Sequence, residues 1–365
     1  MPAPAERSGR PCSSLLLLLQ WRNGLWSGKA VLRYYVQPWL FPRFEGIGLA
    51  VCLALAAAGC SGRPEPKAPE SAYVRGARAP LRDQLGPSSN LTGTLESGER
   101  VEVLAKRPRW VQVRSASGRT GWIQSRFLAS PAVFDQFRLL AVQTAPLPSQ
   151  GKALLRREAN LHHEPRRDSE TFYRLPEGEE VEVLAHRVVD RASPAGHREE
   201  NASAESESND EAPVELEIQA HEDWFLVRAS GGKAGWLLEN LMDMNLPVEI
   251  ARYREGLRIR AWFVIHREMD EGVERPWYLW ATIRPVTGLP FDFDEIRVFV
   301  WNPARSRYET SYRERNLIGF YPIQAESQEA SGSGVPAFRL QLEDETGKRF
   351  QRNYVMAGRL VRRAP

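Results

Sequence analysis

The sequence predicts a mainly β protein: two small β-barrels, then a separate antiparallel β domain, sandwich or barrel, all behind an N-terminal signal helix. Three observations carry this. Short runs alternate apolar and polar residues with the period of half-buried strands. Turn signals rich in glycine, proline and serine fall between them. Two stretches are near copies of each other. The first reads Leu95-Glu-Ser-Gly98-Glu-Arg-Val101-Glu-Val103-Leu-Ala105, then Trp110-Val-Gln-Val113-Arg114 and Gly121-Trp122-Ile123. The second reads Leu175-Pro-Glu-Gly178-Glu-Glu-Val181-Glu-Val183-Leu-Ala185, then Trp224-Phe-Leu-Val227-Arg228 and Gly235-Trp236-Leu237. The copies lie 80 residues apart up to Ala105 and Ala185, and 114 apart from Trp110 and Trp224 onward. A module is therefore duplicated, and the second copy carries about 34 extra residues in one loop.

A chain of 365 residues has room for two or three domains. Its formal charge of +3 comes from the N-terminal region, because residue 60 onward holds 43 basic and 44 acidic residues. A neutral body gives no electrostatic reason to bind nucleic acid. The three cysteines, Cys12, Cys52 and Cys60, all precede the body, which excludes a disulfide, a thiolate metal site and a cysteine nucleophile from the domains.

In chain order, residues 1–59 read as a signal or leader region. Its apolar part, 46–59, follows Arg43, is too short to span a bilayer as a helix, and fits the apolar segment of a secretory signal. Some 45 residues precede it, so translation is expected to begin downstream of Met1, at Val31 through an alternative start codon. Ala57-Ala58-Gly59-Cys60 resembles the lipobox of bacterial lipoproteins. That resemblance implies that Cys60 is acylated by lipid (palmitate or a similar chain) and becomes the mature N-terminus, with residues 60–72 as a proline-rich tether.

The first module spans 73–130 and the second 153–246. Leu81-Arg82, the Leu-x-x-Gly-x-x-Val-x-Val turn, Trp110-Val-x-Val-Arg, and Gly121-Trp122 leading into Ser125-Arg-Phe-Leu128 together resemble the bacterial SH3 (SH3b) family. The resemblance implies an SH3-like barrel in each copy and a groove that in some members binds cell-wall peptides. His162 in the second copy stands where Arg82 stands in the first. The insertion at about 186–222 is acidic and poor in apolar residues, so it is expected to be disordered. Val214 to Ile218 alternates again and is expected to return the chain to the barrel. Trp110, Trp122, Trp224 and Trp236 each have two readings: the ring completes a small core, or it lines a ligand groove.

From 248 to 365 the pattern changes. Leu257, Ile259, Ala261, Phe263 and Ile265 alternate with Arg258, Arg260, Trp262, Val264 and His266, and similar alternation recurs to Glu343. Gln328 to Gly334 reads as a flexible loop. The stretch from Val298 to Tyr312 mixes tryptophan, tyrosine and arginine, and reads either as a packed strand or as a face for a glycan or acidic peptide.

No catalytic constellation is legible. None of the six histidines stands in a zinc-protease motif, His162 and His163 point oppositely on a strand, and the Asp292, Asp294, Glu295 run lacks the further ligands of a calcium loop. The expectation is a non-enzymatic, lipid-anchored protein on the extracytoplasmic side of a bacterial membrane, without cofactor or metal. It would bind cell-wall peptides (peptidoglycan) or an envelope partner. The alternatives are an interaction scaffold without wall affinity and an enzyme with its site in the C-terminal domain.

Overall fold

The computed structural model of the protein describes residues 70–86, 88–191, 221–326 and 335–364. The leader 1–59, Cys60 and most of the tether, residues 192–220 of the insertion with the Val214 to Ile218 return strand, and the Gln328 to Gly334 loop lie outside the described residues.

The first copy forms β1 (Ser71–Val74), β2 (Arg78–Arg82), β3 (Leu91–Glu96), β4 (Arg100–Arg107), β5 (Trp110–Ser115), β6 (Thr120–Gln124) and β7 (Leu128–Ala129). They make one antiparallel sheet in the order β3-β2-β6-β5-β4-β1-β7. The second copy forms β8 (Lys152–Leu155), β9 (Ala159–His162), β10 (Thr171–Leu175), β11 (Glu180–Asp190), β12 (His221–Arg228), β13 (Ala234–Leu238) and β14 (Met242–Met244). Their order, β10-β9-β13-β12-β11-β8-β14, repeats the first position by position.

The two cores repeat as well. Leu81, Leu95, Val101, Val113 and Ile123 are buried in the first sheet, and Leu161, Leu175, Val181, Val227 and Leu237 at the matching positions of the second. Burial of each such side chain contributes about 1.5–3 kcal/mol, far more than a surface ion pair, so these positions hold the repeat together. Even the bulge is shared, between Val103 and Ala105 in one copy and between Val183 and Ala185 in the other.

The Gly-Trp pair of each copy has a packing reason. A Cβ on Gly121 would sit 2.7 Å from the Arg82 carbonyl oxygen and from Leu81 Cγ; on Gly235 it would sit 2.7 Å from Leu161 Cβ and 3.0 Å from the His162 carbonyl. Glycine lets β6 close on β2, and β13 on β9.

Between the copies, residues 131–152 have no strand pattern, and the structure places a helix there, α1 (Pro131–Thr144). Ser130 caps it by accepting from the Val133 amide, and Pro131 opens the first turn. Phe134 stacks on Tyr73 of β1 with centroids 4.0 Å apart, and Phe137 is buried against Phe172 and Tyr173 of the second sheet. Spaced three apart on one helical face, these rings join the two copies.

The C-terminal region forms a third sheet, a meander in which β15 (Arg258–Asp270), β16 (Val273–Ile283), β17 (Phe293–Asn302), β18 (Arg307–Glu326), β19 (Ala337–Glu343), β20 (Arg349–Ala357) and β21 (Leu360–Ala364) pair in sequence order. The 20-residue β18 pairs with β17 mainly through its first half and with β19 through its second.

Three expectations are corrected. Alternation placed Arg260 on a solvent face, yet Arg260 is buried, because this sheet is covered on both sides. One side packs Leu279, Ile296, Val298 and Phe338; the other packs Tyr278, Trp280, Phe299 and Trp301 against Ile250 of the short helix α2 (Val248–Ala251). The third sheet is also not separate: residues 67–365 form one compact unit. Gln150, wholly buried, shows how. Its amide donates to the Val183 carbonyl of β11, its carbonyl accepts from the Trp262 amide of β15, and its side-chain oxygen accepts from the Ile323 amide of β18 at 2.8 Å. Finally, the chain is still paired strand at His186: β11 runs to Asp190 against β12, which starts at His221. In this part of the hairpin His186 and Asp223 are buried, while Arg187, Asp190 and His221 stay exposed.

Gly121→Ala and Gly235→Ala are each expected to lower stability by about 1–3 kcal/mol, the usual cost of overpacking. Denaturant unfolding measures both, and similar losses are expected because both glycines serve the same strand approach.

Candidate functional site

Since Val111, Val113 and Ile123 fill the first core, alternation puts Trp110, Gln112, Trp122 and Gln124 on the outer face of β5 and β6. Trp110 pairs with Gln124 and Gln112 with Trp122, which makes the two tryptophans diagonal neighbours, both half-buried. Arg82 lies across from Trp122 and is held by its hydrogen bonds to the Ser89 carbonyl and hydroxyl. The result is an accessible aromatic face edged by amides and a guanidinium.

The same face of the second copy is partly closed. Trp224 is fully buried, edge-on to His162 at 5.2 Å, with its indole Nε1 donating to Glu222 at 3.3 Å. A groove-lining role for Trp224 is thereby corrected: its ring has no open surface. Trp236 is half-buried beside His162 and Leu226. Burial lowers the His162 pKa, so the ring is neutral and packs as an apolar group. The Arg82-to-His162 difference thus exchanges a polar rim for a covering ring. The structure brings Trp110 and Trp122 together, and Trp224 and Trp236 together, on two different sheets.

Sequence reasoning passed over the densest chemistry. His186 of β11 is 2% exposed at its side chain and is held between two carboxylates: Nε2 lies 2.8 Å from Asp223 Oδ1 of β12, and Nδ1 lies 2.8 Å from Asp292 Oδ1 before β17. Two carboxylates require both ring nitrogens to donate, which makes the ring an imidazolium. Asp223 also accepts from the Gly288 amide, and Asp292 from the Tyr321 amide at 2.6 Å. Gly288 has a φ of +81°, and a Cβ there would lie 2.7 Å from His221 Cβ, so only glycine lets this loop meet the hairpin.

Arg260 lies beside the cluster, buried over the Phe225 ring at 5.1 Å, with Glu239 at 3.1 Å and Asp223 at 3.8 Å. These are ion-pair contacts without hydrogen-bond alignment. Burial by itself favours the neutral ring, but the bonds to Asp223 and Asp292 outweigh it and raise the His186 pKa above its ordinary 6.5. Burial likewise opposes the Asp223 charge, but His186 and Arg260 hold its pKa below 3.8.

Chemically, this arrangement is a clamp. Both nitrogens of His186 are committed, leaving no lone pair to accept a proton. Direct contacts of 2.8 Å leave no space for an ion between the three groups, and among the described residues no set of three or more histidines, cysteines, aspartates and glutamates could hold a metal. One clamp residue, Asp223, lines a cleft of about 510 Å³ between the second and third sheets. No motif foretold it: Asp223 and Asp292 lie 37 and 106 residues from His186, and only the hairpin extension and the third sheet bring them together.

The aromatic and arginine stretch of the third sheet takes the packed reading. Trp301 and Tyr308 are buried, Trp301 Nε1 donates to Asp270 at 2.6 Å, Arg275 stacks 4.0 Å over the indole, and Arg305 and Arg307 pair with Glu309.

Residues 77–129 match the family described as Bacterial SH3 domain, so the chain carries one such domain. A search among curated proteins finds no match. Among solved structures, the NlpC2 and NlpC1 proteins of Trichomonas vaginalis each align at 12% identity and a TM-score of 0.16, over 50% of this chain and 50% and 49% of theirs. An NlpC/P60 family protein from Bacillus cereus ATCC 10987 aligns at 14% identity and a TM-score of 0.21, over 47% of this chain and 55% of its own. The chain thus spans about half the length of each, and likenesses this low carry no argument.

The clamp has a pH signature. Because the folded-state pKa of His186 is raised, its stabilisation is complete below about 6.5 and fades as pH climbs through the folded value. Because that of Asp223 is lowered, its stabilisation is present above about 3.8 and is lost as pH falls through the folded value. His186→Gln should cost about 3–5 kcal/mol at mildly acidic pH, as for other broken buried pairs, and less in alkali. Denaturant unfolding of both proteins across this range checks it; a gap constant with pH would show that His186 is uncharged in the fold.

Proposed function

We propose that this protein is a non-enzymatic component of a bacterial cell envelope that binds cell-wall peptides through its SH3 domain. The observation that carries the reading is the accessible face formed by Trp110 and Trp122 on the domain matched at residues 77–129. Bacterial SH3 domains commonly bind peptidoglycan, and half-exposed aromatic rings beside amides supply both contact area and hydrogen bonds to such a ligand. Support for a non-enzymatic role comes from the clamp, where His186, between two carboxylates, is enclosed and has both nitrogens occupied.

The second sheet is read here as a second, diverged copy of the same module, since its strand order, core positions and bulge repeat the first. With its aromatic face partly closed by His162, it serves the fold more than the ligand. Lipid on Cys60 is the proposed anchor, placing the modules on the extracytoplasmic side of a membrane; the several chains of a lipoprotein hold firmly where one chain would not.

Co-sedimentation with purified peptidoglycan tests the binding. Wild-type protein should pellet with the wall, and the Trp110→Ala/Trp122→Ala double variant should bind at least about tenfold more weakly, as for paired aromatic anchors, with its far-ultraviolet dichroism unchanged. Wild-type protein that stays in the supernatant removes wall binding and favours an envelope protein as partner. For the anchor, Cys60→Ala should abolish palmitate labelling and move the protein out of the membrane fraction.

A further inference from the structure

The cleft between the second and third sheets has a chemistry that the clamp does not use. At about 510 Å³ it falls in the size range of small-ligand sites, about 300–1,000 Å³, and it sits at a junction between two sheets, where such sites concentrate. One lining residue, Asp223, is held in place by its bond to His186.

Five arginines line it: Arg156, Arg167, Arg191, Arg254 and Arg258. Three are neutralised by lining carboxylates. Arg156 makes two bonds of 2.6 Å to Asp243, Arg167 reaches Glu222 at 2.7 Å, and Arg258 reaches Glu239 at 2.9 Å. The other two are held less closely. Arg254 spends only its Nε, on the Leu257 carbonyl, and its terminal nitrogens have no partner among the described residues. Arg191 comes no closer than 3.8 Å to Glu222, a carboxylate already taken by Arg167. Two exposed guanidiniums on one cleft call for an anion that can accept paired hydrogen bonds.

The remaining walls narrow the class. Met242, Met244, Leu246 and Ile259 supply apolar surface. Asn240 and Thr287 have side-chain polar groups without a hydrogen-bond partner among the described residues, suited to amides. A dianionic phosphate would meet the lining carboxylates Glu222, Glu239 and Asp243, which repel it more than a single carboxylate. A fatty acid would leave Asn240 and Thr287 unmatched.

We infer that this cleft binds the free C-terminal carboxylate of a short peptide, with Arg254 and Arg191 gripping the carboxylate and the methionine and leucine wall receiving an adjacent apolar side chain. This site is independent of the tryptophan face and stands whether or not the SH3 domain binds wall.

Calorimetric titration of the full chain with acetyl-Ala-Ala-Leu bearing a free carboxylate tests it, alongside the C-terminal amide of the same peptide, inorganic phosphate and decanoate. The free acid should bind saturably and the amide about tenfold or more weakly, as expected for loss of a charge-assisted pair. Arg254→Gln and Arg191→Gln should each weaken the acid about tenfold and leave acid and amide nearly equal, with unchanged thermal melting because both side chains are exposed. The Trp110→Ala/Trp122→Ala variant should keep wild-type peptide affinity, which separates this site from wall binding. The inference is overturned by no saturable heat from the acid, by equal binding of the amide, by unaltered affinity in both arginine variants, or by phosphate or decanoate displacing the peptide at equal concentration.

Discussion

The architecture depends on one buried ionic arrangement, His186 between Asp223 and Asp292 with Arg260 alongside. Burying an ion costs several kcal/mol, so such a group persists only where its partners are in place. Here the partners come from both sides of a junction: His186 and Asp223 from the second sheet, Asp292 and Arg260 from the third. Sliding one sheet past the other would strand charges in an apolar interior. The cluster therefore fixes one relative placement, and the directional contacts of Gln150 and Tyr321 reinforce it. Tyr321 donates its hydroxyl to the Arg260 carbonyl at 2.6 Å and packs against both cores.

The first two sheets share the core positions, the bulge and the close glycine, which are what their common strand order needs. They differ on the outer face. In the first copy the outer face of β5 and β6 stays accessible around Trp110 and Trp122, whereas in the second the corresponding face is partly closed by His162 on Trp224. The hairpin of the second sheet runs three pairs further than that of the first, which adds Asp223, while His186 stands where the first sheet has the exposed Lys106. The second sheet thus docks on the third through residues that the first sheet lacks.

The same junction creates the cleft. Because the hairpin overhangs the core and meets the third sheet at the clamp, the ends of β11 and β12 form one wall, while Arg254, Arg258 and Ile259 form another. Arginines that would be ordinary surface charges on separate domains converge there, and the terminal nitrogens of Arg254 stay without a hydrogen-bond partner among the described residues. Rigidity at the clamp and unmatched charge at the cleft are two consequences of one contact.

By itself the sequence determined the β class, the duplication, the core positions and the glycines, because each follows from local periodicity or from comparing one copy with the other. Leu81 and Leu161, or Ile123 and Leu237, are legible as core from pattern alone. Helix α1 had a readable signal, a capping Ser130-Pro131 followed by rings at helical spacing, though no repeat pointed to it. Other features were decided only by tertiary structure. Whether Trp110 is open and Trp224 closed depends on what packs over the ring, here His162 from β9, two strands away in the sheet. Whether Arg260 meets water or a carboxylate depends on what covers the second face of its sheet. The clamp joins residues up to 106 positions apart, and no period in a chain encodes such a meeting. Alternation reports which side of a strand a residue faces; what lies on that side is set by packing between sheets.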